Sequence, residues 1–331
     1  MIDDQQPVRV SIVTSMFRSA AFLEEFYRRC VIAVSALTSS YEIVLVNDGS
    51  PDDSLAIALT LRERDPRVRI IDLSRNFGHH KALMTGLMYA RGDLMYLVDC
   101  DLEEEPEWLL RFHEAMVRSR ADVVYGVQAS RNDSALLRAS AALFYRVFNR
   151  LLAEPIPMNV VTARLMTRRY VEALVQHRDR EICIAGLWVI TGFDQRSMEI
   201  VKGRRQGSTY TMRRRVSALV NAVTSFSNRP LIYIFHIGIA VMLLSMAFGT
   251  ALVWWSLSNH IGVPGFASVM VSVWFLGGLT IFCLGIIGIY LAKVFTEIKD
   301  RPYTVVRAEY GAQAPHDQPA DHPAGSSVLR R

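Results

Sequence analysis

The chain has 331 residues, 51% of them hydrophobic and 21% charged, with a formal net charge of +5. That length allows one or two domains of ordinary size, and a positive mean hydropathy is high for a soluble chain. The modest charge carries no nucleic-acid signature, and the four cysteines, Cys30, Cys100, Cys183 and Cys283, have neither metal-ligand spacing nor a disulfide framework, which fits a reducing compartment.

The first fifteen residues lack a basic segment ahead of an apolar one, so no secretory leader is expected and the large first part should stay inside the cell. From residue 8 to about 130, apolar β-rich runs alternate with helical patterns; 8–15, 41–48, 68–74, 93–99 and 122–127 read as strands with four helices between them. Such alternation predicts an α/β domain with a mainly parallel sheet. Ligands of these sheets bind beyond the carboxyl ends of the strands. Asn47-Asp48-Gly49-Ser50, Ser74-Arg75-Asn76-Phe77-Gly78 and Asp99-Cys100-Asp101 should therefore share one edge.

The end of the fourth strand is the most specific of these. Two carboxylates two residues apart repel unless a cation lies between them, and oxygen ligands of this kind suit Mg2+ or Mn2+, with a nucleotide diphosphate sharing the ion. The competing reading is a solvated helix start, since Glu103, Glu104 and Glu105 precede Pro106. No Gly-x-Gly-x-x-Gly follows the first strand and no Gly-Lys-Ser/Thr loop occurs, which excludes the dinucleotide fingerprint and the P-loop. His79 and His80 should begin a helix.

Residues 231–292 contain no Asp, Glu, Lys or Arg. A polar, turn-rich interruption at 258–265 divides them into candidate transmembrane helices at 231–257 and 266–292, each longer than the roughly 20 residues a span needs. Arg213, Arg214, Arg215 and Arg229 precede the block and Lys293, Lys299 and Arg301 follow it, so both termini should be cytoplasmic and the 258–265 loop external. Before the block, Val216, Leu219, Val220, Val223 and Phe226 fall on one helical face, predicting an amphipathic interfacial helix over 212–230. A second juxtamembrane segment is expected over 293–307. The tail, 308–331, rich in Ala, Pro, Asp and His, reads as disordered. Gly277, Gly278, Gly285 and Gly288 permit close helix contact, and hence a homo-oligomer through the hairpins.

The stretches VNDGSPDDS, LSRNFGHHKALMTGL, ARGDLMYLVDCDL and RRQGSTY together resemble family 2 glycosyltransferases of the GT-A fold. With the two C-terminal spans, the chain is similar to polyprenyl-phosphate glycosyltransferases, the group of bactoprenol glucosyltransferases and dolichol-phosphate mannose synthase, over residues 8–305. The resemblance implies a cytoplasmic catalytic domain over 1–211 in a bacterial-type inner membrane protein. It implies that Asp48 holds the base or ribose of a nucleotide sugar, a UDP-sugar above all. Asp99 would hold nucleotide and donor sugar, and Arg75 and Asn76 would shape the donor pocket. Asp101 would bind the cation, with Glu103 standing where relatives have Gln. Arg204, Arg205 and Tyr210 would reach the phosphate of an undecaprenyl-type acceptor. Asp99, Asp101 and Arg164 form the implied catalytic set, and the reaction would invert the anomeric centre.

Two departures qualify that resemblance. The first strand ends Thr14-Ser15-Met16-Phe17-Arg18 where relatives read Pro-x-Tyr-Asn-Glu, and Val161-Thr162-Ala163-Arg164-Leu165 stands where they read Gly-Asp-Phe-Arg-Leu. The second removes a carboxylate often assigned as base. A hydroxyl acceptor must lose a proton, whereas a phosphate monoester, with a second pKa of about 6, is already largely dianionic at neutral pH. A lipid phosphate acceptor follows as the leading expectation. A hydroxyl acceptor served by another base, and a non-catalytic membrane scaffold, are the alternatives; retention of Asp48, Asp99 and Asp101 speaks against the scaffold.

Overall fold

The computed structural model describes residues 9–128, 159–177, 179, 184–201, 229–259, 265–299 and 301–311. Arg204, Arg205 and Tyr210, the interfacial helix expected over 212–230 and most of the loop expected over 258–265 lie outside the described residues.

Up to residue 200 the described elements are β1 Val10–Met16, α1 Leu23–Ser35, β2 Tyr41–Asn47, α2 Ser54–Arg64, β3 Val68–Leu73, α3 His79–Tyr89, β4 Leu94–Leu97, α4 Trp108–Ser119, β5 Val123–Gln128, β6 Val160–Thr167, α5 Arg168–Leu174, α6 Ile184–Ile190 and β7 Gln195–Ile200, strand and helix alternating as far as β5. Two long helices follow, α7 Arg229–Asn259 and α8 Phe266–Ile298, and then a last strand, β8 Val306–Tyr310. The five strands read from the sequence are all present. β1, β2 and β3 are buried along their whole length, the mark of strands covered on both faces. α1 buries Leu23, Phe26, Cys30, Ala33 and Val34, one stripe at helical spacing.

The strands form one sheet in the order β7-β5-β6-β4-β1-β2-β3-β8. β3, β2, β1 and β4 are parallel neighbours, but β6 runs antiparallel between β4 and β5, and β8 runs antiparallel on the β3 edge. The sheet is thus mixed, with six of its eight strands running one way and β6 and β8 against them. α1, α2 and α4 pack on one face and α3, α5 and α6 on the other. α3 lies very close to the sheet: a Cβ on Gly86 would stand 2.5 Å from Val13 Cγ1.

Two expectations are corrected. The acidic run Glu103–Glu105 does not begin a helix; α4 starts at Trp108, and Glu107 pairs instead with Arg29 of α1 through two hydrogen bonds, at 2.8 and 2.5 Å. Nor is the chain disordered from Ala308, since Ala308, Glu309 and Tyr310 belong to β8. That strand is held because Arg69, 5% exposed, needs anionic partners: it donates to Glu42 at 2.8 Å and to Glu309 at 2.7 Å. Arg307 reaches Asp72, and Ser74 donates its N–H to the Val305 carbonyl.

Within α8, Phe275–Ile298 is long and apolar enough to cross a membrane, with none of its apolar window buried. At 1.5 Å per residue its 24 residues extend about 36 Å. Among the described residues α7 contributes a shorter apolar stretch, Leu231–Val241. Phe235, Leu244, Phe248, Trp254, Phe275, Ile281, Phe282 and Leu284 all face outward.

Candidate active site

The carboxyl ends of β1 to β4 carry the predicted residues, and the connections between them explain how. After β2, Asn47 donates to Asp72 at 2.7 Å and accepts from the Ser50 N–H. Gly49 has φ +60, and a Cβ there would lie 2.5 Å from the backbone of Arg75 and Asn76, so the loops after β2 and β3 touch main chain to main chain. Asp48 locks this contact: Oδ1 accepts from Phe77 N–H at 2.7 Å and Oδ2 from Gly78 N–H at 3.0 Å. Burial pushes its carboxyl above the usual range, with the two backbone donors pulling the other way. Both oxygens thus shape the loop whose exposed residues are Arg75 and Asn76. Arg75 stacks over Phe77, 4.2 Å from the ring centre.

The loop after β1 is fixed by Asp52, which accepts from the hydroxyls of Ser50 and Ser54 and from Ala20 N–H. Burial raises its pKa, but these donors outweigh that and bring it to about 2. Arg18 there has φ +56 and donates its N–H to Ser50.

Asp99 and Asp101 sit beyond β4 with Cys100 between them. The Cys100 thiol lies 3.1 Å from the Ser15 carbonyl and 3.2 Å from Ser19 Oγ, and burial pushes it up to about 11, so it anchors the loop as a neutral group. Leu102 adopts φ +63, a strained conformation for a branched side chain and common at ligand loops. Asp101 Oδ1 accepts the Glu103 N–H at 3.1 Å.

Around Asp99 the structure brings together residues far apart in sequence. Thr162 of β6 donates its hydroxyl to Asp99 Oδ2 at 3.0 Å, His79 Nε2 lies 3.4 Å from Asp99 Oδ1, and His79 Nδ1 lies 2.9 Å from Ser15 Oγ. Beneath them Glu104 is fully buried and takes the backbone N–H groups of Thr162, at 3.0 Å, and of Asp99, at 3.4 Å. Sequence reasoning missed Glu104 and Ser15 and gave His79 chiefly a place at the start of a helix, with a catalytic role as the lesser reading. The signal in each case is a pairing across 58 to 64 residues that no local pattern carries.

Arg164 is the one predicted catalytic residue the structure sets apart. Its side chain is 1% exposed, its guanidinium lies over the Trp188 ring of α6, and Nε donates to the Thr162 carbonyl at 3.4 Å. Burial pulls its pKa down to about 9, partly opposed by Tyr170 and Glu104, which leaves it a cation at neutral pH.

The donor set fits a hard divalent cation shared with a substrate. Asp101 and Glu103 are partly exposed at the mouth of the sheet. The described residues hold no group of three or more His, Cys, Asp and Glu placed for one ion. Magnesium commonly binds through one or two carboxylates plus substrate phosphates and does not require an all-protein cage.

Residues 11–175 match the family model for glycosyl transferase family 2. A Mycobacterium tuberculosis glycosyltransferase is 48% identical over 313 residues, covering 95% of this chain and 92% of that protein. A Synechocystis glycosyltransferase is 33% identical over 92% of this chain and 97% of its own length. The bactoprenol glucosyl transferase of Shigella phage SfII is 29% identical over 92% and 99%. Among solved structures, the Pyrobaculum calidifontis mannosyltransferase in complex with GDP-Man and Mn2+ aligns over 91% of this chain and 90% of that one, with a TM-score of 0.48 and 16% identity. The chain belongs to glycosyl transferase family 2. It is a glycosyltransferase.

Proposed function

We propose that this glycosyltransferase moves a sugar from a nucleotide diphosphate donor, a UDP-sugar, to the phosphate of an undecaprenyl-type polyprenyl lipid at the cytoplasmic face of a bacterial inner membrane. The observation that carries the reading is the path of the chain after α8. β8 is antiparallel to β3, with Val306 opposite Leu73, so the chain leaving Ile298 enters the sheet at the carboxyl end of β3. Seven residues, 299–305, make that connection, at most about 25 Å when fully extended. An edge tethered so closely to a membrane-length helix suits an acceptor whose reacting group lies at the bilayer surface. The relative named bactoprenol glucosyl transferase points the same way.

In this reading the spans are 231–257 and 266–292, a two-helix hairpin with both termini cytoplasmic, followed by the basic flank Lys293, Lys299 and Arg301. Oligomerisation through its glycines belongs to the same proposal. Asp48 holds the 75–78 loop and meets the nucleoside, and Arg75 and Asn76 line the donor. Asp99 takes the donor sugar. Asp101 and Glu103 hold Mg2+ or Mn2+, which when bound supplies positive charge for the departing diphosphate. A phosphate oxygen of the acceptor forms the new bond to the anomeric carbon as the bond to the nucleotide diphosphate breaks, with inversion. Arg204, Arg205 and Tyr210 bind the acceptor phosphate. No proton needs to be removed, which suits Thr162 in place of a carboxylate. The test is the full-length protein in nanodiscs with polyprenyl phosphate or polyprenol and a panel of nucleotide sugars, the lipid products read by mass spectrometry. A glycosylated lipid phosphate is expected; equal transfer to polyprenol would refute the reading.

A further inference from the structure

A cavity of about 320 Å3 lies between α6 and strands β5 and β6, with Tyr125, Val160, Arg164, Ala185, Trp188 and Phe193 among its walls. Two of these residues carry buried donors, Arg164 Nη2 and Trp188 Nε1, and neither atom has a hydrogen-bond partner among the described residues. A buried donor left unmade is costly, and a charged one more so. Several other polar groups nearby have partners. Gln195 donates to the carbonyls of Trp188 and Gly192, Asp194 pairs with Arg196, and Tyr170 donates to the Trp188 carbonyl.

The wall therefore offers a cation and N–H donors set among apolar and aromatic surfaces. An oxyanion carried on an apolar chain matches a cation and N–H donors of this kind beside apolar and aromatic walls. The position agrees. Arg164 is two residues from Thr162 along β6, on the same face and roughly 7 Å away, and Thr162 holds Asp99. In the sheet order the cavity lies on the β5 side of Asp99, while the loops carrying Asp48 and Arg75 lie on the β2 and β3 side.

We infer that this cavity seats the phosphate of the lipid acceptor, with Arg164 and Trp188 donating to its oxygens and the first isoprene units against Val160, Ala185 and Phe193. The inference rests on the lipid-phosphate reading above and adds Arg164 and Trp188 to the groups that hold the same phosphate. Binding is measured on the full-length protein in nanodiscs, without donor, by 31P line broadening of farnesyl phosphate and of inorganic phosphate, with UDP binding as the control of folding. Farnesyl phosphate should bind at least tenfold more tightly than inorganic phosphate. Arg164→Gln should weaken it at least tenfold, and so should Ala185→Phe, which fills the cavity without touching the cation; UDP affinity should stay within twofold. Should Arg164→Gln fail to fold, Ala185→Phe decides alone. Farnesyl phosphate binding unchanged by Ala185→Phe would overturn the cavity assignment and leave the lipid-phosphate reading standing. Equal affinity for inorganic phosphate would overturn the acceptor as the occupant. A wild-type protein that binds no farnesyl phosphate but still binds UDP would overturn both.

Discussion

The two sides of Asp99 differ in what the polar groups of their loops and cavity meet. Toward β2 and β3, Asp48 accepts two backbone N–H groups, Asp52 four donors and Asn47 bridges to Asp72, so these loops are fixed by the chain's own hydrogen bonds. Toward β5 and α6, Arg164 and Trp188 bury donors that the described residues leave unmade. The first arrangement is preorganised by the chain itself, the condition for positioning a reacting centre. The second leaves two donors, Arg164 Nη2 and Trp188 Nε1, that the proposed oxyanion would meet. The contrast can be broken from either side.

The largest effect is expected at Asp101. Replacing it with Asn removes a charged oxygen donor at the mouth of the sheet, and stabilisation of leaving-group charge is commonly worth several kcal/mol. Asp101→Asn should lower turnover by about three orders of magnitude or more, with the protein folded and membrane-bound. Full activity in this variant and in excess chelator would remove the cation from the reaction.

Next comes Glu104. The acidic run reads as a helix start, from which Glu104→Gln would be nearly silent, but the buried carboxylate holds the backbone of Asp99 and Thr162 together. A Gln amide can accept one of these N–H groups and must turn its own donors against the other. The variant should lose about 1–3 kcal/mol of stability, seen as a lower Tm, and should slow transfer as Asp99 drifts from Thr162. An unchanged Tm and rate would restore the helix-start reading.

These two residues show where the sequence was legible. Strands β1 to β5 and the acidic end of β4 follow from apolar runs and turn residues within windows of ten or so positions, and all stand where expected. Glu104, His79 and Ser15 acquire their roles only when β6 pairs with β4 and α3 packs on β1. β8 was missed for the same reason: Val-Arg-Ala-Glu-Tyr is short, with charges at Arg307 and Glu309, and its place depends on Arg69, 240 residues before Glu309. Arg164 had the right type for phosphate, but its burial against Trp188 depends on a helix that follows β6 in sequence.

A smaller effect is expected where β8 closes the donor side. Glu309→Ala leaves Arg69 buried with Glu42 alone, and because Glu309 is a quarter exposed the loss should be about 1–2 kcal/mol, less than for a fully buried pair. Denaturant unfolding should show it, together with a raised KM for the donor, since Val305 and Arg307 of the same segment bond to Ser74 at the root of the 75–78 loop. A lowered stability with an unchanged donor KM would confine β8 to a structural part.

The smallest effect belongs to Thr162, which lies on the boundary between the two sides. Its hydroxyl donates to Asp99 at 3.0 Å and is far too weak a base at neutral pH to deprotonate an acceptor. Thr162→Ala removes one hydrogen bond to a carboxylate that is still approached by His79, so transfer should fall only about fivefold, the equivalent of about 1 kcal/mol. The pH profile separates this from a catalytic part. If the acceptor is a phosphate monoester, activity falls as pH drops through about 6, because protonation removes the attacking charge. That limb belongs to the lipid, so wild type and Thr162→Ala should share it. A limb that shifts with the substitution would make Thr162 or its partner Asp99 the titrating group. A Thr162→Ala enzyme as inactive as Asp101→Asn would show that the hydroxyl is essential to the reaction, and the distinction between a finished donor side and an acceptor that brings its own charge would fail.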